Sequence, residues 1–299
     1  MSGMAIGLSI FAGLLVLLAL RIHVGIGMLI GGSVGFMAMN DWDSSALLFT
    51  LNHLAYARLS NYDLAVIPLF MLMGQFATHG GLSKALFRFA AAFMGHWKGG
   101  LAMASTGACA GFGAICGSSL ATAATMAQVA LPELKAHGYS GRLSTGTLAA
   151  AGTLGIMIPP SVPLVIYAVL TQESIGKLFM AAVVPGLIAM LGYMVAIAIY
   201  VRLVPGQAPD HDSDDRPRMT VKLAMGVLPI AVVFLIVFGG IYGGLFTPTE
   251  GAGVGAAATF VAALLKRELT WAKIKHCFYA TAEASAMIFL IFIGADLMN

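Results

Sequence analysis

Charged side chains are what this sequence has least of. Asp, Glu, Lys and Arg together make up 10% of its 299 residues, while 59% are hydrophobic. Soluble domains carry about 25% charged and roughly 45 to 50% apolar residues, so the composition fits lipid as the solvent rather than water. Cysteine is nearly absent too. Cys109, Cys116 and Cys277 lie in or at the edge of apolar segments, with no CxxC pair and no histidine at a ligand spacing. That supports neither a disulfide framework nor a zinc site. A basic leader is also missing: the apolar run from Met4 to Leu20 has no positive residue before it, and Arg21 follows it. This reads as a first membrane helix that is kept, not as a signal peptide.

What is present is a series of apolar runs, at about 4 to 20, 24 to 40, 64 to 78, 99 to 131, 144 to 170, 180 to 201, 222 to 245, 250 to 265 and 277 to 298. Several approach the ~20 residues needed to cross a bilayer, which makes the chain an all-α polytopic membrane protein. The run from 99 to 131 is too long for one untilted helix. Its middle, GAICGSS, holds residues poorly suited to a helix interior, so two short legs and a turn are expected there. The basic residues test that reading. With a hairpin at 99 to 131, 14 of the 16 Lys and Arg share one side, and only Arg58 and Lys177 fall on the other. A single crossing would split them 5 against 11. The positive-inside rule therefore favours a hairpin entered from the cytoplasm and a periplasmic or extracellular N-terminus. Trp42, Trp97 and Trp271 all sit at segment ends, where an indole favours the headgroup region. Residues 42 to 62 and 80 to 96 are moderately polar and read as amphipathic helices at the interface. Val204 to Met219, rich in Pro, Asp and Arg, reads as a flexible cytoplasmic linker between two halves.

Two polar islands interrupt the apolar runs. Gly117, Ser118, Ser119, Thr122 and Thr125 cluster at the break of the hairpin. Small residues there serve helix packing in the plainest reading. At membrane depth, however, non-helical backbone is tolerated only where it is buried in protein or lines a cavity. Carbonyls and hydroxyls freed at such a break are hard ligands for a small cation or partners for a substrate. The second island is GTLGIMIPPSVPLVIY, Gly152 to Tyr167, where Pro159 and Pro160 free upstream carbonyls and Gly152 and Gly155 let the backbone unwind. Two discontinuous segments about 40 residues apart are the pattern of a secondary transporter's midplane site. Thr247, Pro248 and Glu250 form a capping box that opens a helix, and Asp63 reads as an N-cap. GFGAICGSS resembles a phosphate-binding loop but has no Lys after its last Gly, and no histidine in an apolar segment can activate Ser118 or Ser119 as a hydrolase nucleophile. No enzyme activity is expected.

GAICGSSLATAAT, GTLGIMIPPSVPLVIYAVLTQESIGKLFMAAVVPG and GGLFTPTEGAGVGA occur in this order, and IPLFMLMGQFATHGG precedes them. Together they resemble the large membrane subunit, DctM type, of tripartite ATP-independent periplasmic (TRAP) transporters over nearly the whole chain. The resemblance implies an inverted-repeat, elevator-type secondary transporter with a re-entrant helical hairpin and broken helices. It implies sodium-driven import of C4-dicarboxylates or sugar acids through the bacterial inner membrane, without an organic cofactor. The implied partners are a small membrane subunit (DctQ type) and a periplasmic substrate-binding protein (DctP type). By position, Gly117, Ser118, Ser119, Gly155 and Pro159 would hold sodium, and Ser119, Thr122, Pro160 and Ser161 would border the substrate.

On that reading, residues 1–96 are scaffold helices with an interfacial helix. Residues 97–203 are a first core repeat, with the hairpin at 97–132, a broken helix at 144–170 and a helix at 180–202. Residues 204–220 are the linker, 221–270 further scaffold, and 271–299 the start of a second repeat. Gly251 and Gly253 stand where the family more often has alanines. The chain stops before any second hairpin, so it is expected to be the N-terminal two-thirds of a longer subunit, with Asp296 and Asn299 near the start of a second site. Two readings compete: a single-subunit sodium/anion carrier of related architecture, and a non-transporting membrane scaffold.

Overall fold

The computed structural model describes residues 3–209 and 220–298; the linker stretch 210–219, with Arg216 and Arg218, and the terminal Asn299 lie outside the described residues. The described elements are helical: α1 (Gly3–Ala19), α2 (Val24–Met39), α3 (Ser44–Leu59), α4 (Val66–His79), α5 (Leu82–Met94), α6 (Gly100–Cys116) and α7 (Ser119–Ala136). They continue with α8 (Gly141–Gly152), α9 (Leu154–Met157), α10 (Val162–Thr171), α11 (Ile175–Leu203), α12 (Val221–Tyr242), α13 (Pro248–Leu265) and α14 (Trp271–Met298). Among the described residues five spans are long and apolar enough to cross a membrane: 141–171, α11, 223–242, α13 and α14. The chain from Tyr62 to Met94 qualifies as a pair, bent by 67° between α4 and α5. Trp42, Trp97 and Trp271 are exposed and stand between or at the start of helices.

Two compact units emerge. The first holds the residues up to Ala65 together with those from Tyr279 onward. Its helices approach through glycine: a methyl on Gly35 would strike Ile10 of α1, and methyls on Gly25 and Gly32 would lie 3.1 Å from Leu290 and Leu297 of α14. Small residues let membrane helices pack closely where no hydrophobic force drives them together. Arg58 of α3 donates from Nε and Nη2 to the two carboxylate oxygens of Asp296, and its guanidinium lies 5.5 Å from the centroid of the Phe292 ring. The Asp296 carboxylate is thus committed to a structural pair inside this unit. Arg58→Ala and Asp296→Ala are each expected to cost about 2 kcal/mol, with the double variant little worse than either, as read in a double-mutant cycle of thermal unfolding.

The second unit runs from Val66 to Phe278. Helix α6 is its core: all but Gly107 and Gly111 of its residues are buried, as expected of a helix apolar on every side. Helix α5, the amphipathic segment read from residues 80 to 96, buries Leu82, Leu86, Phe87, Ala91 and Met94, and it packs on α6 and α12. Its apolar face is therefore covered by protein. Helices α4 and α13 lie against each other, with Gly255 facing Met73 and Gly80 facing Ala263. Gly251 has a packing role as well, since a methyl there would lie 2.8 Å from Ile241 of α12.

The capping box forms as read from the sequence. Thr247 Oγ1 accepts from the Glu250 N–H at 3.3 Å, and Glu250 Oε2 accepts from the Thr247 N–H at 2.8 Å. Thr247→Ala is expected to lower stability by about 1 kcal/mol in a thermal melt. Asp63 does not cap. It lies inside a 3-10 turn, Tyr62–Ala65, and its N–H donates to Asn61 Oδ1 at 2.9 Å, so Asn61 is the residue that starts the turn.

Candidate functional site

The long apolar run breaks at Gly117 and Ser118. Gly117 closes α6 in the left-handed region at φ +65°, a conformation glycine adopts without strain. Ser118 is the N-cap of α7, its Oγ accepting from the Ala121 N–H at 3.4 Å. The second break follows α9, where Ile158, Pro159, Pro160 and Ser161 separate Met157 from Val162. The prolines have no N–H to continue a helix, which is why the chain leaves helical geometry here. Ser161 is fully buried and does not cap α10; its hydroxyl reaches back across the break and donates to the Ile156 carbonyl at 2.6 Å.

The two breaks touch. The Val162 N–H points at the Gly117 carbonyl at 3.4 Å. A methyl on Gly117 would lie 2.7 Å from the Pro160 carbonyl oxygen. Gly155 sits against the start of α7: a methyl there would lie 2.5 Å from Thr122 Oγ1 and 2.8 Å from the Ser118 carbonyl oxygen. Gly113 of α6 meets the Gly155 backbone from the other side, with 2.5 Å between its would-be methyl and the Gly155 Cα. Gly117, Ser118, Thr122, Gly155, Pro160 and Ser161 are thereby brought into one small volume, and Pro159 is buried beside them. Ser119 opens α7 half-buried, and Thr125 lies half-buried a turn beyond Thr122.

Four helix ends converge at this crossing. The C-terminal ends of α6 and α9 bring carbonyls without intrahelical donors and the negative end of the helix dipole, while the N-terminal ends of α7 and α10 bring N–H groups and the positive end. One side suits a cation and the other a carboxylate. Thr122 is the telling side chain. It is wholly buried, and its Oγ1 is one of four buried threonine hydroxyls, with those of Thr147, Thr259 and Thr281, that find no partner of normal geometry among the described residues; the Cys116 thiol is its weak hydrogen-bonding neighbour. An unpaired buried hydroxyl costs about 1 to 3 kcal/mol, so an oxygen left in this state beside freed carbonyls matches a hard cation. Among the described residues no group of three His, Cys, Asp or Glu is placed to hold a metal ion, so oxygen from backbone and hydroxyl is the ligand chemistry this crossing offers.

Some contributors escape the sequence reading. Gly74 of α4 backs the hairpin tip, its would-be methyl 2.9 Å from the Cys116 carbonyl, and Gly152, read from the sequence only as a point of unwinding, also lets α8 meet Ala123 of α7. An isolated glycine inside an apolar helix is the available signal, since it marks a close backbone approach. His79 Nδ1 lies 3.7 Å from Cys277 Sγ and also faces the Gln75 carbonyl at 3.1 Å, and its ring meets that of His276 at 5.2 Å. No local spacing reveals a contact across 198 positions.

Comparison with known proteins gives one family match, to the DctM component of the tripartite ATP-independent periplasmic transporter, over residues 11–299. The C4-dicarboxylate TRAP transporter large permease protein DctM of Rhodobacter capsulatus is 36% identical across 97% of this chain and 68% of its own length. The protein of the same description from Pseudomonas aeruginosa is 41% identical across 80% of this chain and 55% of its own. The isethionate TRAP transporter permease protein DctMQ of Oleidesulfovibrio alaskensis is 35% identical across 94% of this chain and 44% of its own. The chain therefore spans about half to two-thirds of the length of these curated relatives.

Proposed function

Because this chain belongs to the family of the DctM component of tripartite ATP-independent periplasmic transporters, we propose that the protein it represents is a sodium-driven importer of small organic acids. The C4-dicarboxylate or sugar-acid class is the substrate. The observation that carries this reading is the buried Thr122 hydroxyl, with no partner better than the weak Cys116 thiol, at the crossing of two broken helices. Sodium, as co-transported cargo, takes the carbonyls around Gly117, Ser118, Gly155 and Pro159 together with Thr122 Oγ1. The substrate carboxylate faces the N-terminal ends of α7 and α10, bordered by Ser119, Thr122, Pro160 and Ser161. Among the described residues no arginine or lysine enters this arrangement, so on this reading the anion is received by backbone N–H groups and helix dipoles.

Cation and anion then stabilise each other across the crossing, and the loaded core moves as one body in an elevator of two inverted repeats. In this reading the subunit sits in the inner membrane with its N-terminus in the periplasm, as the placement of 14 of its 16 basic residues favours. A small membrane subunit of the DctQ type braces it, and a periplasmic binding protein of the DctP type delivers substrate. The test is uptake of a labelled C4-dicarboxylate into proteoliposomes holding the full-length subunit and its small membrane partner. Uptake should require both an inward sodium gradient and the binding protein. Uptake without the binding protein would point instead to a single-subunit carrier. Absence of uptake, with normal assembly of the complex, would leave the scaffold reading.

A further inference from the structure

A groove of about 810 Å³ runs between α12 and α13, away from the crossing. Its walls are apolar, with Leu228, Pro229 and Val232 on α12 and Ala257 and Val261 on α13, and it ends at Lys266. From Val254 to Lys266 the groove follows about 18 Å of helix at 1.5 Å per residue. That is close to the ~15 Å depth of one leaflet, half of the ~30 Å hydrocarbon core. A partner's transmembrane helix would need a groove twice as long. An acyl chain hanging from one headgroup layer needs only this.

The head end carries the matching charge. Lys266 caps α13, and its Nζ donates to the Gly226 carbonyl of α12 at 3.2 Å. Gly226 in turn lines a second cavity of about 340 Å³, shared with Ala85, Arg88, Thr220 and Leu223. Among the described residues no carboxylate lines either cavity. Burial lowers the pKa of Lys266, and Glu268 opposes that shift from nearby. An ammonium half-withdrawn from water has two more protons to donate, with a guanidinium on the other side of Gly226.

We propose that this groove binds an anionic phospholipid, with an acyl chain between α12 and α13 and the headgroup phosphate held by Lys266 and Arg88. The lipid seals a seam that small and β-branched side chains leave open, and its charge pins the depth of α12 and α13 in the leaflet. The positive-inside bias makes that leaflet the cytoplasmic one.

The test delipidates the purified full-length protein in an equimolar mixture of dioleoyl phosphatidylglycerol and dioleoyl phosphatidylcholine, then reads the retained lipids by native mass spectrometry. Phosphatidylglycerol should be kept preferentially. Lys266→Gln and Arg88→Gln should each reduce the preference about fivefold, as expected of one basic residue near a membrane surface. Ala257→Trp, which fills the groove, should lower total retained lipid, and Arg267→Gln should change neither reading. Two positions on different helices keep the test decisive should one variant fold poorly. Equal retention of the two lipids would overturn the proposal. So would displacement of phosphatidylglycerol by inorganic phosphate, which would mark a site for a free anion. Crosslinking of the groove, through Val261→Cys, to the small membrane subunit in place of lipid would overturn it too.

Discussion

Thr122→Val is expected to raise stability in sodium-free buffer and to abolish the further rise that sodium brings to the wild type. The substitution keeps the shape of the side chain and exchanges its hydroxyl for a methyl. In the absence of a cation, Oγ1 is a buried oxygen without a partner, and removing it recovers about 1 to 3 kcal/mol of desolvation. On the proposed reading the same oxygen is a ligand when sodium is present, and its loss removes one coordination bond from a site with few to spare. Thr122→Ser keeps the oxygen and should keep the sodium response, at the smaller cost of a lost methyl. Thermal unfolding of the full-length protein at constant ionic strength, with and without sodium, reads both signs. If Thr122→Val were more stable than wild type in both buffers by the same amount, Thr122 would be an unsatisfied packing residue and nothing more.

Gly155→Ala is expected to damage both stability and transport. Its Cβ would lie 2.5 Å from Thr122 Oγ1 and 2.8 Å from the Ser118 carbonyl oxygen, and the second of these is backbone that cannot rotate away. The start of α7 and the α9 segment must separate, which costs about 1 to 3 kcal/mol as overpacking and would spread the proposed cation ligands apart. Uptake should fall by at least ~10-fold, as 1 Å displacements at a positioned site do. Gly192→Ala, on α11 with nothing within 4 Å of the new methyl, is the matched control. It should be neutral or should stabilise by about 1 kcal/mol through helix propensity. Adding Thr122→Ala to Gly155→Ala removes one of the two clashes, so stability should partly return while the sodium response stays absent. That non-additivity separates a packing defect from a ligand defect.

Much of the site was legible because breaks in membrane helices need particular residues. Gly117 with Ser118, and Pro159 with Pro160, announce themselves as residues that a continuous helix rejects, and both interruptions fall where the composition changes. The capping box at Thr247 was equally local, and the structure forms it. What the sequence could not convey was which atoms meet. The resemblance puts Ser161 beside the substrate, but its proton is donated to the Ile156 carbonyl. Thr122 stands in the same cluster as the serines before it, and nothing in the sequence shows that its hydroxyl is one of the four buried threonine oxygens left without a normal partner among the described residues, its position on α7 turning it toward Gly155.

The rest depended on long-range packing. Asp296 carried no sign in its neighbourhood that Arg58, far away in the chain, would take both of its oxygens. Asp63 was read as a cap from its place before an apolar run, but Asn61 competes for the same turn and wins because its side chain reaches the N–H two residues on. Gly74 and Gly113 serve approaches between helices, and an approach leaves a mark in the sequence only as a missing side chain.

The most direct test of the cation site is the thermal midpoint of the purified full-length protein as sodium replaces potassium at fixed ionic strength. The site predicts a rise with sodium alone that becomes logarithmic in sodium concentration above Kd, amounting to about 2.7 kcal/mol of stabilisation at a hundredfold excess over Kd, and a flat response in Thr122→Val. Equal midpoints in sodium and potassium across the titration would contradict it, and the crossing of the two broken helices would then be a packing motif without a bound cation.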